Sequence, residues 1–362
     1  MELYPIEAVE KLKGAGSPVR CFDTEILVKE APDGRIGSLD RYEYALDVIP
    51  RTNYGATLEG IRRSCGWTNR SVNTVEILTD VFSVAVGDTT ARVWTYRRRK
   101  PYDRPARVGL IYAHGGAFVA GTPNICANTL KYIAELSDCV VFSVEYGLAP
   151  EHPYPSAVDA CEAVVRHVHD HAEAFGVDPD KLCVGGDSAG TIFMLSVLAR
   201  GTWSFVRYAA LYYPCITFDY EHMPFTWRLD AYDIDPSQRE RIEPRLNIGR
   251  SDGGGNLQYQ VLLRSMYLAA GGDPTDADVS PIYADLNKMP KTLVLMAEFD
   301  GLRQQDEYLV RKLRDAGVEA RGIRYQGLFH AFAEKIGVVP QAADACREIA
   351  NDLRLLDGTE TL

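Results

Sequence analysis

The chain lacks the features that mark membrane and secreted proteins. None of its apolar runs approaches the roughly 20 residues that a transmembrane helix requires. Its first residues mix Glu2, Glu7, Glu10 and Lys11 with apolar side chains, so no hydrophobic signal sequence is visible. We therefore expect no membrane span and a cytoplasmic location.

Positive charge and paired cysteines are also scarce. The chain carries 39 Lys and Arg against 50 Asp and Glu, which gives a net charge of -11 at pH 7. This acidic balance disfavours nucleic acid and anionic membrane surfaces as partners. The eight cysteines stand singly, without a C-x-x-C zinc spacing, as is typical of free thiols in a reducing compartment.

The histidines at 167, 169 and 171 are candidate metal ligands. His167 and His171 are spaced i, i+4 in a predicted helix over 156–174 and would share one face, whereas His169 would not. No H-E-x-x-H motif accompanies them. We therefore expect a solvated helix face and no metal.

The most informative motif is the pentapeptide Gly-Asp-Ser-Ala-Gly at 186–190, which matches G-x-S-x-G. It follows the apolar run 182–184 and precedes the apolar run 192–198, which is the strand, turn and helix order of a nucleophile elbow. Glycines on both sides permit a tight turn that a Cβ would crowd. Ser188 is the predicted nucleophile, although the motif alone would also fit a turn serine or a helix N-cap.

A second glycine-rich motif lies upstream. A predicted buried strand leads directly into His114-Gly115-Gly116-Ala117. Ester hydrolysis passes through a tetrahedral intermediate whose negative oxygen needs preorganised N–H donors. We predict that these donors are the backbone N–H groups of Gly115, Gly116 and Ala189.

A serine nucleophile needs a base, and in the chain order Ser, acid, His the base comes last. His330 follows a strand pattern at 321–325 and a turn, whereas His222 lies in a polar, aromatic segment without a strand before it. His330 is therefore the predicted base, the alternative being a structural histidine.

The acid should follow a strand between Ser188 and His330. The strongest strand pattern there, 291–297, leads into Glu298 and Asp300. We predict that Asp300 orients the imidazole. Glu298 and Asp306 are the competing carboxylates, and Asp306 is expected to be a solvated charge on a helix.

Five segments together resemble the hormone-sensitive-lipase-like branch of the α/β-hydrolase carboxylesterases. They are residues 114–117, 145–155, 186–190, 300–302 and 330–332, and the resemblance covers roughly 75–355. It implies a Ser188, Asp300 and His330 triad with an oxyanion hole at Gly115, Gly116 and Ala189. It also implies short acyl ester substrates, a helical cap over the site, no cofactor, and a homodimer.

The chain departs from the family pattern at several positions. Glu145 and Gly147 stand where the family usually has aspartate and arginine, which affects packing more than chemistry. Thr191 follows the elbow where a further glycine is common, and Gln304 and Gln305 replace a second acidic residue. None of these changes removes a group that the mechanism needs.

The expected fold class is α/β, an α/β-hydrolase fold with a mostly parallel twisted sheet covered by helices on both faces. A mainly helical N-terminal segment, 1–73, would contribute to the cap, and 74–362 would form the catalytic domain. Helical patterns occur at 40–49 and 57–64, and a hairpin is predicted over 72–96. A cap insertion is expected at about 215–285, with Gly253-Gly254-Gly255 as a mobile loop or, alternatively, a lid hinge.

These features predict a serine carboxylesterase that hydrolyses short-chain acyl esters, a small-molecule substrate class. Deacetylation of carbohydrates, lactone hydrolysis and amide hydrolysis use the same triad and remain alternatives. A non-catalytic ligand receptor on the same fold is a further alternative, although this chain keeps all three candidate triad residues.

Overall fold

The computed structural model describes residues 6–30, 57–66, 70–100, 107–247 and 257–362. Ten strands lie in these ranges, and they form a single sheet. The strands are β1 (Ser17–Cys21), β2 (Thr24–Lys29), β3 (Ile77–Val86), β4 (Thr89–Arg98), β5 (Arg107–Ala113), β6 (Val140–Glu145), β7 (Val177–Asp187), β8 (Val206–Tyr212), β9 (Lys291–Phe299) and β10 (Ala320–Phe329).

The spatial order of the strands is β1-β2-β10-β9-β8-β7-β5-β6-β4-β3. The strands from β6 across to β2 run parallel, while β1, β3 and β4 pair antiparallel to their neighbours. Successive side chains of a strand point to opposite faces of the sheet, and both faces of a parallel sheet are covered. The side chains of one strand therefore enter two different cores. In β5, Leu110 and Tyr112 belong to one core, and Ile111 and Ala113 belong to the other. The predicted mostly parallel α/β sheet is confirmed.

Helices cover both faces of the sheet. The α-helices are α1 (Ile6–Glu10), α2 (Leu58–Ser64), α3 (Ala127–Ser137), α4 (Ser156–Asp170), α5 (Ala172–Phe175), α6 (Ala189–Arg200), α7 (Arg239–Ile242), α8 (Leu257–Tyr267), α9 (Arg303–Asp315) and α10 (Pro340–Leu356). Buried residues of α4, α6 and α9 belong to one core, and those of α3 and α10 belong to the other. Short 3-10 helices occur at Pro123–Ile125, Leu229–Ala231, Pro236–Gln238, Glu243–Asn247, Pro281–Tyr283, Leu286–Lys288 and Phe332–Lys335.

Part of the N-terminal segment, which was predicted to be mainly helical, forms strands in the described residues. Residues 17–29 form the hairpin β1–β2, and β2 pairs parallel with β10. Ile26 and Val28 are buried on one side of β2, but the strand is too short for this alternation to stand out in the sequence. The hairpin therefore extends the catalytic sheet, which crosses the predicted domain boundary at 73.

Other predicted elements are present. The hairpin predicted over 72–96 is β3–β4, and the helix predicted over 57–64 is α2, with the Thr57 side chain accepting from the Gly60 N–H as an N-cap. The helical pattern at 40–49 and Gly253-Gly254-Gly255 lie outside the described residues. Among the described helices, none has the length and apolarity that crossing a membrane would require.

Strand register brings the motif-bearing loops to one end of the sheet. Ala113 pairs with Gly186, so the oxyanion motif and the elbow leave adjacent strands at the same level. Phe299 pairs with Phe329, so Asp300 and His330 are the next residues on two adjacent strands. Parallel strands therefore deliver all these segments to one edge of the sheet.

Candidate active site

Ser188 occupies a strained turn between β7 and α6. Its backbone has φ 51° and ψ -121°, a conformation that non-glycine residues rarely adopt. A Cβ on Gly190 would lie 2.0 Å from the Ala113 carbonyl oxygen, and one on Gly186 would lie 2.8 Å from the Gly190 carbonyl carbon. Only glycine fits at either position, because the turn packs against the end of β5 at Gly190 and against the start of α6 at Gly186.

Three side chains form a continuous hydrogen-bonded chain at this turn. Ser188 Oγ lies 2.8 Å from His330 Nε2, and His330 Nδ1 lies 2.6 Å from Asp300 Oδ2. An ionised carboxylate only accepts, so the imidazole places its proton on Nδ1 and offers Nε2 to the serine hydroxyl. The other oxygen of Asp300 accepts the Leu302 N–H at 2.9 Å, which orients the carboxylate. The structure thus brings together the three residues that the sequence nominated.

The competing residues have different surroundings. Glu298 accepts the Gly327 N–H at 2.9 Å, an interaction that ties the end of β9 to the turn preceding His330. His222 is exposed and lies 2.9 Å from Asp219 through Nδ1. Asp306 was expected to be a solvated charge, and this was wrong, because its side chain is fully buried.

Asp306 lies close enough to Asp300 for their charges to interact. Burial, followed by the charges of Asp300 and Glu307, holds the pKa of Asp306 well above its usual range. Neither of its carboxyl oxygens has a hydrogen-bond partner among the described residues. Burial without a hydrogen-bond partner thus favours the neutral form of Asp306, in contrast to Asp300, whose two oxygens both accept hydrogen bonds.

Carboxylates surround the imidazole of His330. Burial acts to lower the pKa of His330, but the charge and hydrogen bond of Asp300, with contributions from Asp187 and Glu334, raise it above its ordinary value. Burial also raises the pKa of Glu334 to about 7. These charges stabilise the imidazolium that forms when His330 takes a proton.

One backbone N–H of the glycine-rich loop after β5, predicted as an oxyanion donor, has an acceptor within the protein. The Gly115 N–H donates to Asp187 Oδ1 at 3.0 Å, so this N–H is occupied within the protein. The backbone N–H groups of Gly116, Ala117 and Ala189 have no protein acceptor among the described residues. Gly116 has φ 134°, and a Cβ there would lie 2.0 Å from the Ala120 carbonyl oxygen. The free donors beside the elbow are therefore those of Gly116, Ala117 and Ala189.

Asp187, the variable residue of the elbow motif, was not singled out by the sequence. Its Oδ1 accepts hydrogen bonds from Tyr112 Oη at 3.1 Å and Cys126 Sγ at 3.1 Å, besides the Gly115 N–H. Burial raises the pKa of Asp187, while these donors act in the opposite direction. The carboxylate therefore anchors the glycine-rich loop to the nucleophile strand. Its position within the motif was the available signal.

The 215–285 segment holds the loop that carries Asp300. Trp227 Nε1 donates to the Gly301 carbonyl at 3.0 Å, and Tyr232 Oη donates to the Asp300 carbonyl at 2.8 Å. The amide of Gln304 donates to the Arg228 carbonyl at 2.8 Å and accepts the Arg228 N–H at 3.0 Å. A carboxylate could not make both bonds, which gives the glutamine departure from the family pattern a physical reason.

Aromatic side chains fill the space beside the glycine-rich loop. Phe118 lies 4.6 Å from Phe218 and 5.0 Å from Tyr267, measured between ring centroids, and 5.9 Å from Phe193 of the nucleophile helix. These four rings join the loop, α6 and the 215–285 segment in one core. On the other side of the elbow, the Tyr213 ring lies 4.7 Å from the His330 ring.

The histidines at 167 and 171 stack on each other with ring centroids 4.2 Å apart. The described part of the chain contains no cluster of three or more His, Cys, Asp or Glu side chains arranged to hold a metal ion.

Comparison with known proteins agrees with this geometry. A profile of the family described as "alpha/beta hydrolase fold" matches residues 110–334, more than half of the 362 residues. The chain belongs to this family. This match and the relatives described next confirm three predictions: the family resemblance, the fold class and a carboxylic-ester hydrolase.

Several relatives of this α/β-hydrolase are esterases. An arylesterase of Saccharolobus solfataricus is 28% identical over 64% of this chain and 73% of its own length. The carboxylesterase NlhH of Mycobacterium tuberculosis is 30% identical over 65% of this chain and 70% of its own length. Among solved structures, the ester-hydrolase EH1AB1 from the metagenome of Lake Arreo superposes with a TM-score of 0.69 and 26% identity, covering 90% of this chain and 98% of that one.

Proposed function

We propose that this α/β-hydrolase is a serine carboxylesterase that hydrolyses short-chain acyl esters through an acyl-enzyme. The observation that carries the proposal is the hydrogen-bonded chain from Asp300 through His330 to Ser188 at the strained elbow. In this assignment Ser188 is the nucleophile, His330 the general base, and Asp300 the residue that orients the base. The esterase relatives support the reaction class.

The proposed first step is acylation. Ser188 Oγ attacks the ester carbonyl carbon while His330 Nε2 accepts the hydroxyl proton, and the carbonyl oxygen becomes an oxyanion. The imidazolium then gives this proton to the departing alkoxide, the C–O bond breaks, and the alcohol leaves. Asp300 and the other carboxylates around His330 favour the charged imidazole during this step.

Deacylation repeats the same steps with water as the nucleophile. His330 removes a proton from water, hydroxide adds to the acyl carbon, and the proton returns to Ser188 Oγ as the acid is released. We assign the oxyanion donors to the N–H groups of Gly116, Ala117 and Ala189, because Asp187 occupies that of Gly115. Ala117 thus replaces Gly115 in the proposed oxyanion hole.

The aromatic cluster supports the preference for short acyl chains. Phe118 directly follows the proposed oxyanion loop, and its ring packs against Phe193, Phe218 and Tyr267. Filled space beside the oxyanion site leaves little room for a long acyl chain. We further propose that the 215–285 segment acts as the cap. The N-terminal part would brace the loops after β5 and β6, since Arg62 donates to the carbonyls of Val119 and Ala149.

The homodimer implied by the resemblance remains a proposal. Strand β2 pairs with β10, so β10 is not open to pairing with a second copy of the chain. A dimer would therefore use another surface, and light scattering coupled to size-exclusion chromatography would measure its mass.

Replacement of the nucleophile tests the proposed reaction. Ser188→Ala should abolish hydrolysis of 4-nitrophenyl acetate, whereas Ser196→Ala, another buried serine on α6, should leave it intact. A fluorophosphonate should add one phosphonyl group to Ser188, detected by peptide mass spectrometry. EH1AB1 has been crystallised with a bipyridine phosphonate derivative, which makes this probe class suitable. Activity that survives Ser188→Ala would refute the assignment.

A substrate panel tests the proposed specificity. When nitrophenyl esters with acyl chains from acetyl to decanoyl are compared, we expect kcat/KM to fall sharply beyond butyryl. Acetylated sugars, lactones and anilides belong in the same panel. A preference for long chains would reject the short-chain proposal, and faster turnover of any of the other three classes would reassign the substrate.

A further inference from the structure

Thr191 makes contacts that an ordinary helix residue does not make. It is the third residue of α6, and its side chain is fully buried. Its Oγ1 lies 2.5 Å from the Ser188 carbonyl oxygen and 3.0 Å from the backbone nitrogen of Cys215. Thr191 therefore connects the residue proposed as nucleophile with the first residue of the 215–285 segment.

The direction of these bonds follows from the groups involved. A hydroxyl has one proton to donate and lone pairs to accept with, and a backbone N–H can only donate. Two carbonyls can accept the proton of Thr191 Oγ1, that of Ser188 at 2.5 Å and that of Cys215 at 3.2 Å, and we assign it to the nearer one, Ser188. Thr191 Oγ1 accepts from the Cys215 N–H. A threonine hydroxyl often bonds the carbonyl three or four residues earlier in a helix. The bond from Cys215 lies outside the helix, and this bond makes Thr191 a bridge.

The elbow needs such restraints because its conformation is unfavourable. Backbone strain of the kind seen at Ser188 persists only where the surrounding structure enforces it. The Ser188 N–H donates to the Tyr212 carbonyl at 3.0 Å, which fixes one side of the residue. On the other side, the Ser188 carbonyl accepts from Thr191 Oγ1 and, at 3.3 Å, from the Cys215 N–H.

The 215–285 segment is held from two directions where it begins. Thr191 accepts the Cys215 N–H, and Gln305 Oε1 accepts the next N–H, that of Ile216, at 3.3 Å. Gln305 belongs to α9, directly after the loop that carries Asp300. The start of the segment is thus attached to the elements that carry both Ser188 and Asp300.

We propose that the Thr191 hydroxyl is a positioning group that holds Ser188 Oγ within reach of His330 by bridging the elbow to Cys215. The proposal rests on Ser188 being the nucleophile. The family resemblance leads to an expectation of glycine at this position, and glycine would provide no hydroxyl. Without the hydroxyl, the Cys215 N–H would keep only its longer contact with the Ser188 carbonyl, and the elbow would lose one of its restraints.

The test compares two substitutions that separate the hydroxyl from the rest of the side chain. Thr191→Val keeps the shape and removes the hydroxyl, and Thr191→Ser keeps the hydroxyl and removes the methyl. We expect Thr191→Val to lower kcat for 4-nitrophenyl acetate by about 10- to 100-fold with KM within about twofold, because a displaced nucleophile slows the chemical step. Thr191→Ser should retain kcat within about threefold of the unsubstituted chain.

Thr292→Val is the matched control. Thr292 is also buried, and its hydroxyl donates to the Pro290 carbonyl at 2.8 Å at the start of β9, the opposite end of that strand from Asp300. Both valine variants should lose similar thermal stability, but only Thr191→Val should lose kcat and react more slowly with a fluorophosphonate. Equal kcat values for the two valine variants would overturn the proposal, and so would a Thr191→Ser enzyme as slow as Thr191→Val.

Two further comparisons keep the outcome interpretable. If Thr191→Val fails to fold, Thr191→Ala takes its place, with the same expected loss of kcat and the same contradicting result. Ser188→Ala separates this inference from the proposed function. An inactive Ser188→Ala beside a fully active Thr191→Val would refute the bridge alone, whereas an active Ser188→Ala would refute the nucleophile assignment.

Discussion

Two buried ionic clusters in this protein have opposite electrostatic designs. The first joins the N-terminal hairpin to α10. There the Lys29 ammonium, fully buried, lies 2.6 Å from Asp344 and 2.7 Å from Glu348 and also donates to the Leu12 carbonyl. Tyr325 Oη donates to the same oxygen of Asp344 at 2.8 Å. Each carboxylate of this cluster faces a permanent cation.

The second cluster surrounds His330, whose imidazole is neutral until it takes up a proton, although one of its carboxylates, Glu334, also lies close to Lys335. Asp300 bonds the imidazole, while Asp187 and Glu334 add negative charge nearby. Protonation of His330 supplies a positive charge beside Asp300, Asp187 and Glu334 during the reaction. Buried charges therefore serve two purposes. The carboxylates paired with Lys29 stabilise the fold, whereas those around His330 stabilise the imidazolium that exists during the reaction.

The largest effect is expected at Asp300. Asp300→Asn should lower kcat by about 10⁴-fold, because an amide no longer fixes the imidazole proton on Nδ1. Thermal unfolding should change little. Asp306→Asn is the matched control, since both carboxyls are fully buried and only Asp300 bonds His330. Steady-state kinetics would make the comparison, and a similar loss of kcat in both variants would remove the distinction between these residues.

The Lys29 cluster should show the opposite pattern. Lys29→Met leaves the buried Asp344 without its cation and removes one of two cationic partners of Glu348, the other being Arg321 at 2.6 Å. It should lower the free energy of unfolding by about 3–5 kcal/mol. The kcat of the folded enzyme should be unchanged. Lys181→Met is the control, because the Lys181 ion pairs are partly exposed, with N–O distances of 3.7 and 3.6 Å, and should contribute less than about 1 kcal/mol. Urea unfolding would measure both, and equal losses would contradict the proposed role of Lys29.

Asp306 offers a pH-dependent test of a buried acid that has no hydrogen-bond partner among the described residues. Its raised pKa means that the folded chain keeps a proton that the unfolded chain releases above about pH 4. Stability contributed by this group is therefore present at low pH and lost as the pH rises. Asp306→Asn cannot release a proton, so it should be more stable than the unsubstituted chain at pH 8, by about 1.4 kcal/mol for each unit of raised pKa.

That advantage of Asp306→Asn should become much smaller at pH 4, where Asp306 is protonated in the folded chain and about half protonated in the unfolded chain. Melting temperatures of the two proteins at pH 4 and pH 8 would measure it. An advantage that is the same at both pH values would show that ionisation of Asp306 does not affect folding.

The smallest effect is expected at Glu334. Its charge raises the pKa of His330, which must be neutral to act as a base, so kcat/KM should fall as the pH drops through that raised value. Glu334→Gln should move this acid limb to lower pH by less than about one unit. Glu173→Gln changes the net charge equally at an exposed position and should not move it. A shift to higher pH would contradict the arrangement of charges around His330.

Much of the site could be predicted because its signals are local. Glycines beside Ser188, a strand before the turn, and a histidine after the last strand are all visible in a short stretch of sequence. The choice of Asp300 over Glu298 was predicted from its place after the strand. In the structure Asp300 bonds the imidazole of His330, whereas Glu298 accepts the Gly327 N–H.

The errors arose where a residue's partner lies far along the chain. Gly115 was taken as an oxyanion donor, but its N–H donates to Asp187, 72 positions later. Asp306 has the polar character of a surface residue but is buried beside the Asp300 loop. The β1–β2 hairpin, with few residues in each strand, acquires its place by pairing with β10 at the other end of the chain.

The sequence by itself indicated the candidate reacting groups and their order along the chain, because glycine-permitted turns and strand patterns are encoded by neighbouring residues. Only the tertiary structure decided which N–H groups remain free, which carboxylates stay charged, and how Thr191 links the Ser188 turn to Cys215. Those properties depend on burial and on partners brought close by strand register. The physical reason is that a hydrogen bond or a desolvated charge is set by neighbours in space.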